Sequence, residues 1–477
     1  MSQSKHLVTK PLRTLSVVVA MVFLGGCATF STDGGFGAVG SATKARGLKQ
    51  DVKWVKTDKD AEEVQATVRK LLASPLTADS AAQIALLNNR GLQATYAELG
   101  IAESDLVQAG RLTNPGFTFE RLRRGNDLTI DRTFLFNVLE LITLPIRTDL
   151  EKRRFALTQG RITAETLQVA TNTRRAYFST VAAQETVKYL EQVKMAAEAS
   201  AELARRMAAV GNFSKLDQAR EQAFYAEVTA QLARVKLIAL TERERLTRLM
   251  GLWGEDIGFK LPERLPDLPK TTHEIVDLEA QALKHRLDVQ GAMKEAENIA
   301  SAMGLVKTTG FINVLEVGYR HNSQTDQPRQ TGYVIDLRLP IFDWGGARVA
   351  RAEHMYMQAV NRAADTAIKA RSEVREAYAA YRTTYDLARH YRDEIVPLRK
   401  RISEENLLRY NGMLISVFEL LADARQQITS VNAYIAALRD YWLAEANLNL
   451  ALTGKSPGGM SIGGGSQAAA GDAQPGH

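Results

Sequence analysis

The sequence predicts a mainly α-helical chain with a small membrane β part, laid out as an internal repeat. Three observations carry that expectation. Two very long segments keep a helical pattern with almost no proline or glycine. Two pairs of short segments alternate apolar and polar residues. Both features occur once in each half of the chain.

Composition sets the background. Of 477 residues, 45% are apolar and 24% charged, which excludes disorder throughout. A single cysteine excludes a disulfide framework and any multi-cysteine zinc or iron–sulfur site. The net charge of +7 comes from 61 basic and 54 acidic residues, well interspersed. No basic block with interleaved aromatics occurs, so nucleic acid is not an expected partner.

The N-terminus reads as a leader. Lys5, Lys10 and Arg13 precede the apolar run Leu15 to Phe23, too short to span a bilayer but suited to a signal peptide. Leu24-Gly25-Gly26-Cys27 follows and resembles the bacterial lipoprotein box. Residues 1–26 are therefore expected to be removed and Cys27 to carry lipid. The plainer alternative is a signal peptide that happens to contain a cysteine. Ala28, rather than aspartate, after the cysteine points to the outer membrane. Loss of three basic residues leaves 58 − 54 = +4. Residues 27–74 read as a lipidated tether with a short helix, and 455–477 as a disordered Gly/Ser/Ala-rich tail. Gly35, Gly37 and Gly40 have dinucleotide-fingerprint spacing, but a cleavage site rather than a strand precedes them. No cofactor is expected.

The remainder divides into repeats at 75–271 and 272–454. Leu144-Pro145-Ile146 recurs as Leu339-Pro340-Ile341, and Gly211 and Gly412 each interrupt a helical pair. Long helices are expected over about 148–250 and 346–453, with Pro397 kinking or breaking the second pair. Ala183, Val187, Leu190, Ala197, Ala201 and Ala204 form a 4-3 seam. On the returning helix Ala223, Ala226, Ala230, Ala233, Leu237 and Leu240 do the same, and Phe224, Val228, Val235 and Ile238 make a second stripe. Two seams on one helix predict neighbours on two sides, as in a wall or barrel.

Strands are expected at about 116–141 and 310–341. In the second pair Phe311, Leu315, Val317, Tyr319, Tyr333, Ile335, Leu337 and Leu339 share one parity. Asp336 and Arg338 fall on the other and are candidates to line water. In the first pair Phe117 and Phe119, then Arg121 and Arg123, share a face, and the return carries Phe134, Phe136 and Val138. Leu135, Leu139 and Leu141 take the opposite parity there, which leaves the facing of that hairpin open. These segments have the length of tilted membrane strands, although alternation also suits a soluble hairpin packed on helices. Four strands cannot close a barrel, and open edges are not tolerated in lipid, so membrane strands would require an oligomer.

Several local motifs, in order and duplicated, carry a resemblance. They include Pro75-Leu76-Thr77, Ala85-Leu86-Leu87-Asn88-Asn89, Gln108-Ala109-Gly110, Asn114-Pro115, Val210-Gly211-Asn212-Phe213-Ser214, Leu339-Pro340-Ile341-Phe342-Asp343 and Asp423-Ala424-Arg425. Over roughly Pro75 to Leu452 the chain resembles the outer membrane efflux protein (TolC) family, in its lipoprotein subgroup serving resistance–nodulation–division pumps. The resemblance implies a homotrimer with a 12-stranded β-barrel, four strands per chain, continued by a long α-helical barrel. It implies a periplasmic adaptor, an inner-membrane pump and outer-membrane lipid as partners, and no chemistry by the chain itself. It places the adaptor at the helix turns, with Val210, Gly211, Ser214, Tyr410 and Gly412 as contact candidates. Asp217 matches a gating aspartate, or is a helix N-terminal acid favoured by the dipole. The chain departs from the pattern after Gly412: a latching basic residue is absent, and Asp423 lies farther along than in other members. The expected gate is accordingly apolar, with Met413, Leu414 and Phe418 acting by dewetting.

The rival classes are weaker. His273, His285, His321, His354 and His390 have no metal-ligand spacing, and no nucleophile elbow or P-loop occurs, so no enzyme and no metal site are expected. A type I secretion duct shares the resemblance. A periplasmic coiled-coil lipoprotein shares the leader and helices but needs no membrane-length hairpins.

Overall fold

The computed structural model describes residues 29–272, 274–309, 314–337 and 341–458. Cys27, Ala28, His273, Phe311 and Arg338 lie outside the described residues, as does the tail from 459 onward. Chain order is α1 (Phe36–Ala45), α2 (Asp58–Leu72), α3 (Ala78–Asn88), α4 (Arg90–Ala109), β1 (Gly116–Arg124), β2 (Asp127–Asn137), α5 (Val138–Ala209) and α6 (Lys215–Met250). The second half has α7 (Leu278–His285), α8 (Leu287–Thr309), β3 (Leu315–Gln324), β4 (Gln330–Leu337), α9 (Gly346–His390), a π-helical turn (Tyr391–Ile395), α10 (Val396–Asn411) and α11 (Val417–Thr453).

Compact units do not follow the sequence repeats. One unit joins the N-terminal residues to Val39, Thr95–Arg161 and Gly291–Asp365, and so holds all four strands. The other joins Gly40–Ala94, Ile162–Gln290 and Thr366 onward, and so holds the helix turns. Each unit draws on both halves of the chain.

In the helical unit, Tyr177, Phe178, Val181, Leu246, Met250, Tyr381, Tyr385, Leu438 and Tyr441 make the main core. Tyr441 is almost fully buried and contacts Tyr381, Tyr385 and Trp442. Burial pushes the Tyr177 hydroxyl up to about 12 while it donates to the Leu76 carbonyl at 3.0 Å. Toward the turns a smaller cluster joins Ala197 of α5, Phe224 and Val228 of α6, and Leu421 of α11. This corrects the seam assignment on α6. Phe224, Val228 and Leu232 are the buried stripe within one chain. The Ala223–Leu240 stripe is the exposed one, with Leu237 and Leu240 both more than half exposed. Phe224 and Val228, with Leu232, fill the space between helices of the chain, whereas Ile238 of that stripe is 54% exposed and the small-residue stripe is exposed throughout.

The two joints of this unit solve one problem differently. The α6 helix ends at Gly251 in left-handed conformation (φ 67°), where a Cβ would lie 2.7 Å from the Asn88 carbonyl oxygen. Asn88 donates to the Met250 and Gly251 carbonyls at 3.1 and 2.8 Å, and Asn89 to that of Leu249 at 2.8 Å. The paired asparagines thus satisfy carbonyls that the helix end leaves open. In the second half the Leu287 N–H donates to the Gly454 carbonyl at 2.9 Å, at the end of α11. Beside it Arg286, 1% exposed, binds both Asp288 oxygens (3.0 and 2.6 Å) and pairs with Glu373 at 2.8 Å.

Helix boundaries differ from expectation in instructive ways. The first long helix starts at Val138, not near 148, and runs 72 residues with Pro145 inside it. Leu139 and Leu141 are therefore helical, which removes their apparent conflict with the strand pattern. Pro397 falls where the helix changes type: it sits at the start of α10, directly after the π-helical turn. A wider turn there accommodates the ring that would otherwise clash with a carbonyl four residues back. The glycine-rich stretch at 31–40 is not all tether. Asp33 accepts from the Gly35 and Gly37 amides at 2.9 and 2.7 Å, and α1 begins at Phe36. Those two N–H groups, Gly37 first, hold the Asp33 carboxyl below its ordinary pKa. Of the tail, Lys455 is fixed by Glu165 at 2.7 Å and Ser456 by Glu373 at 2.8 Å.

Candidate functional site

The strand-bearing unit forms one antiparallel sheet in the order β1-β2-β3-β4, with strands of 9, 11, 10 and 8 residues. The β2–β3 pairing joins the two hairpins, and its register settles which residues share a face. Phe117, Phe134, Tyr319 and Tyr333 stand opposite one another in a single row across all four strands. Phe117 and Phe134 pack with centroids 4.7 Å apart. Phe136, Val317 and Ile335 form the next row on that face, and Leu315 and Leu337 the one beyond. The other face carries Glu120, Asp131, Glu316, Arg320 and Asp336, with Leu122, Leu135 and Val334 as its apolar members. Asp336 stands opposite Glu316, and Arg320 donates to Asp131 from Nη2 at 2.5 Å and from Nε at 3.3 Å.

None of the described residues covers this sheet. Of its described residues only Gly318 is buried, and there a Cβ would lie 2.3 Å from the Phe134 carbonyl oxygen. Phe117, Phe119, Phe136, Tyr319 and Ile335 are each more than half exposed. β1 and β4 each have an edge that no described residue of the chain pairs with. A solvated, open sheet with one apolar face has no stabilising core, so its environment must come from elsewhere. None of the described helices is long and apolar enough to cross a membrane.

The second candidate region is the pair of turns. After α5, Gly211 takes φ 80°, the Asn212 amide donates to the Met207 carbonyl at 2.9 Å, and Ser214 caps α6. The Ser214 hydroxyl accepts from the Asp217 amide at 3.0 Å and bonds its carboxylate at 2.6 Å. Asp217 also binds Arg220 at 3.2 Å. After α10 the expected counterpart, Gly412, is not the left-handed residue: its φ is −82°. Met413 takes that role at φ 60°, and Ser416 caps α11 by accepting from the Glu419 amide. Aligning the turns by conformation gives 413 − 211, 416 − 214 and 419 − 217, each 202. The glycine therefore precedes the position where it would relieve strain.

Val210, Gly211, Ser214, Gly412, Met413 and Leu414 are exposed, Met413 at 95%, while Tyr410 and Asp217 are half-buried. Asp423 stands apart: it is buried on α11, and its Oδ2 has no hydrogen-bond partner among the described residues. The Phe418 side chain lies outside what is described. No group of three His, Cys, Asp or Glu able to hold a metal occurs among the described residues. Sequence reasoning missed Arg132 and His321, which share the face of Phe134 and Tyr319. Their parity with those aromatics was the available signal.

No protein-family model and no curated protein matches the sequence. Solved structures do match. A membrane protein from Pseudomonas aeruginosa is similar with TM-score 0.69 at 19% identity, over 81% of this chain and 92% of that one. The Campylobacter jejuni CmeC outer membrane channel gives 0.67 at 18%, over 91% and 94%. The open state of the Neisseria gonorrhoeae MtrE outer membrane channel gives 0.65 at 17%, over 81% and 89%. The chain has the fold of these outer membrane channels.

Proposed function

We propose that this chain is the outer-membrane subunit of a tripartite efflux system, a passive trimeric duct for small molecules or metal ions. The observation that carries the reading is the uncovered four-stranded sheet, apolar on one face, polar on the other and unpaired at both edges. Pairing β4 of one copy with β1 of the next closes a 12-stranded barrel, the arrangement in which lipid meets the apolar face and water the polar one. The exposed small-residue stripe of α6 supports packing between copies in a helical wall. The fold shared with outer membrane channels supports the same role.

In this reading residues 1–26 are a signal peptide, Cys27 carries the lipid anchor, and the two repeats span 75–271 and 272–454. Asp336 and Arg338 line the pore. Val210, Gly211, Ser214, Tyr410 and Gly412 meet a periplasmic adaptor, which links the duct to an inner-membrane pump. Asp217, Met413, Leu414, Phe418 and Asp423 form the gate. Serine substitutions at Met413, Leu414 and Phe418 are expected to raise resting conductance in planar bilayers. Purified protein should require detergent, run as a trimer and conduct. A monomer extracted without detergent and giving no conductance would favour a periplasmic coiled-coil lipoprotein instead.

A further inference from the structure

The sheet sorts its charges by face. All five strand carboxylates, Glu120, Asp127, Asp131, Glu316 and Asp336, lie on the polar face. The apolar face bears no acid, yet it carries Arg121, Arg123, Arg132 and His321. All four lie on one side of the Phe117–Phe134–Tyr319–Tyr333 row, toward the turns at Gly125 and Asp326 where the hairpins reverse. Arg132 and His321 stand opposite each other, 3.4 Å apart at Nη1 and Nδ1, one step beyond the row. Arg121 and Arg123 follow along β1 and are exposed. None of these arginines has an ion-pair partner among the described residues, whereas Arg320 on the other face is neutralised by Asp131. Phe119 lies under the Arg132 guanidinium, 6.0 Å from its centroid.

An arginine facing hydrocarbon at mid-bilayer costs about 2–4 kcal/mol, falling to about 0–1 kcal/mol near the interface. The aromatic row marks such an interface, and the arginines begin just past it. Guanidinium groups there meet lipid headgroups, and their planar donor fork suits phosphate oxygens. We propose that Arg121, Arg123 and Arg132, with His321, form an outward-facing site for the phosphate of membrane lipid headgroups at the hairpin end of the barrel. The inference rests on the membrane-barrel reading above.

The test uses the full chain purified from membranes as its native oligomer and followed by native mass spectrometry. The probes are lipid A bearing both phosphates and the same lipid stripped of them. Wild type is expected to retain the phosphorylated probe about tenfold more than the stripped one, from the attraction of clustered arginines to anionic headgroups. Arg121→Gln/Arg123→Gln/Arg132→Gln should lose that preference, and Arg124→Gln on the opposite face should keep it. Equal retention of both probes by a wild-type oligomer that conducts overturns the site and leaves the channel reading standing. So does a preference that persists in a conducting triple variant. The wild-type comparison holds even where the triple variant fails to assemble. A wild type that neither requires detergent nor conducts overturns both.

Discussion

In the first helix turn the left-handed residue is Gly211; in the second it is Met413. Glycine reaches that conformation freely, whereas a side-chain-bearing residue gives up about 1–2 kcal/mol. Met413 is 95% exposed, so no packing within the chain offsets the strain. The halves also differ at the joints where α4 and α8 begin. Asn89 and Arg286 hold equivalent places, four residues after Ala85 and Ala282. The first joint is closed by neutral amides on helix carbonyls, the second by a buried guanidinium between two carboxylates. The lesson is that a duplicated plan fixes where a connection must be made, not which chemistry makes it. Strain is confined to the second turn, while apolar side chains are exposed at both, Val210 at 71% and Met413 at 95%.

The joints supply the largest contrast. Burial opposes the Arg286 charge, but its hydrogen bonds and ion pairs with Asp288 and Glu373 outweigh it and hold the pKa above the usual arginine value. Arg286→Ala leaves the two carboxylates facing each other without a cation and is expected to cost about 3–5 kcal/mol. Asn88→Ala and Asn89→Ala leave only neutral backbone groups open, including the Leu92 N–H that Asn89 accepts from, and should cost about 1–2 kcal/mol each. Thermal unfolding of the detergent-purified variants, followed by circular dichroism, measures both. Equal losses at the two joints would break the distinction between them.

The turns supply the next. Met413→Gly is expected to raise stability by about 1 kcal/mol, because it relieves the left-handed strain. Gly211→Met should lower it by a similar amount. With Met413 a gate residue of the proposed channel, the same glycine variant should also raise resting conductance while it stabilises the isolated protein, and planar-bilayer recording reads that opposition directly. A Met413→Gly variant that is less stable would show that the methionine side chain is held within the chain after all.

Much of this was legible in sequence because it rests on local periods. Alternation marked the hairpins, and helical spacing with sparse breakers marked α5, α6, α9 and α11. What escaped depends on non-local register. The β2–β3 pairing that put Phe134 beside Tyr319 is set 185 residues apart, so the facing of the first hairpin stayed open. On α6 both stripes suit a neighbour, and only packing chose Phe224, Val228 and Leu232 for the chain's own interior. Gly412 drew attention because glycine usually takes the left-handed position, and here the next residue does. Nothing local singles out Arg286, since a lone arginine gives no sign that Glu373, 87 residues away, will meet it.

The smallest contrast concerns the segment that links the two repeats. On the first long helix Glu185 accepts from the Leu265 amide at 2.9 Å. On the second, the Tyr385 hydroxyl donates to the Pro269 and Lys270 carbonyls at 3.1 and 3.0 Å. One grip is ionisable, the other neutral. Burial raises the Glu185 pKa, only partly opposed by the Leu265 N–H and by Arg264. A carboxyl whose folded pKa is raised favours the folded state most when protonated, below the pKa it has in the unfolded chain. That advantage is lost as pH rises through the folded pKa, which leaves Glu185 a cost at neutral pH. Glu185→Gln keeps an acceptor for Leu265 without the charge. It should raise the unfolding temperature slightly at pH 7, with the gain shrinking to nothing as pH falls below the ordinary glutamate range. Tyr385→Phe should lower it at both pH values alike. A Glu185→Gln effect that does not change with pH would mean the carboxylate is already solvated, and the two grips would then differ only in geometry.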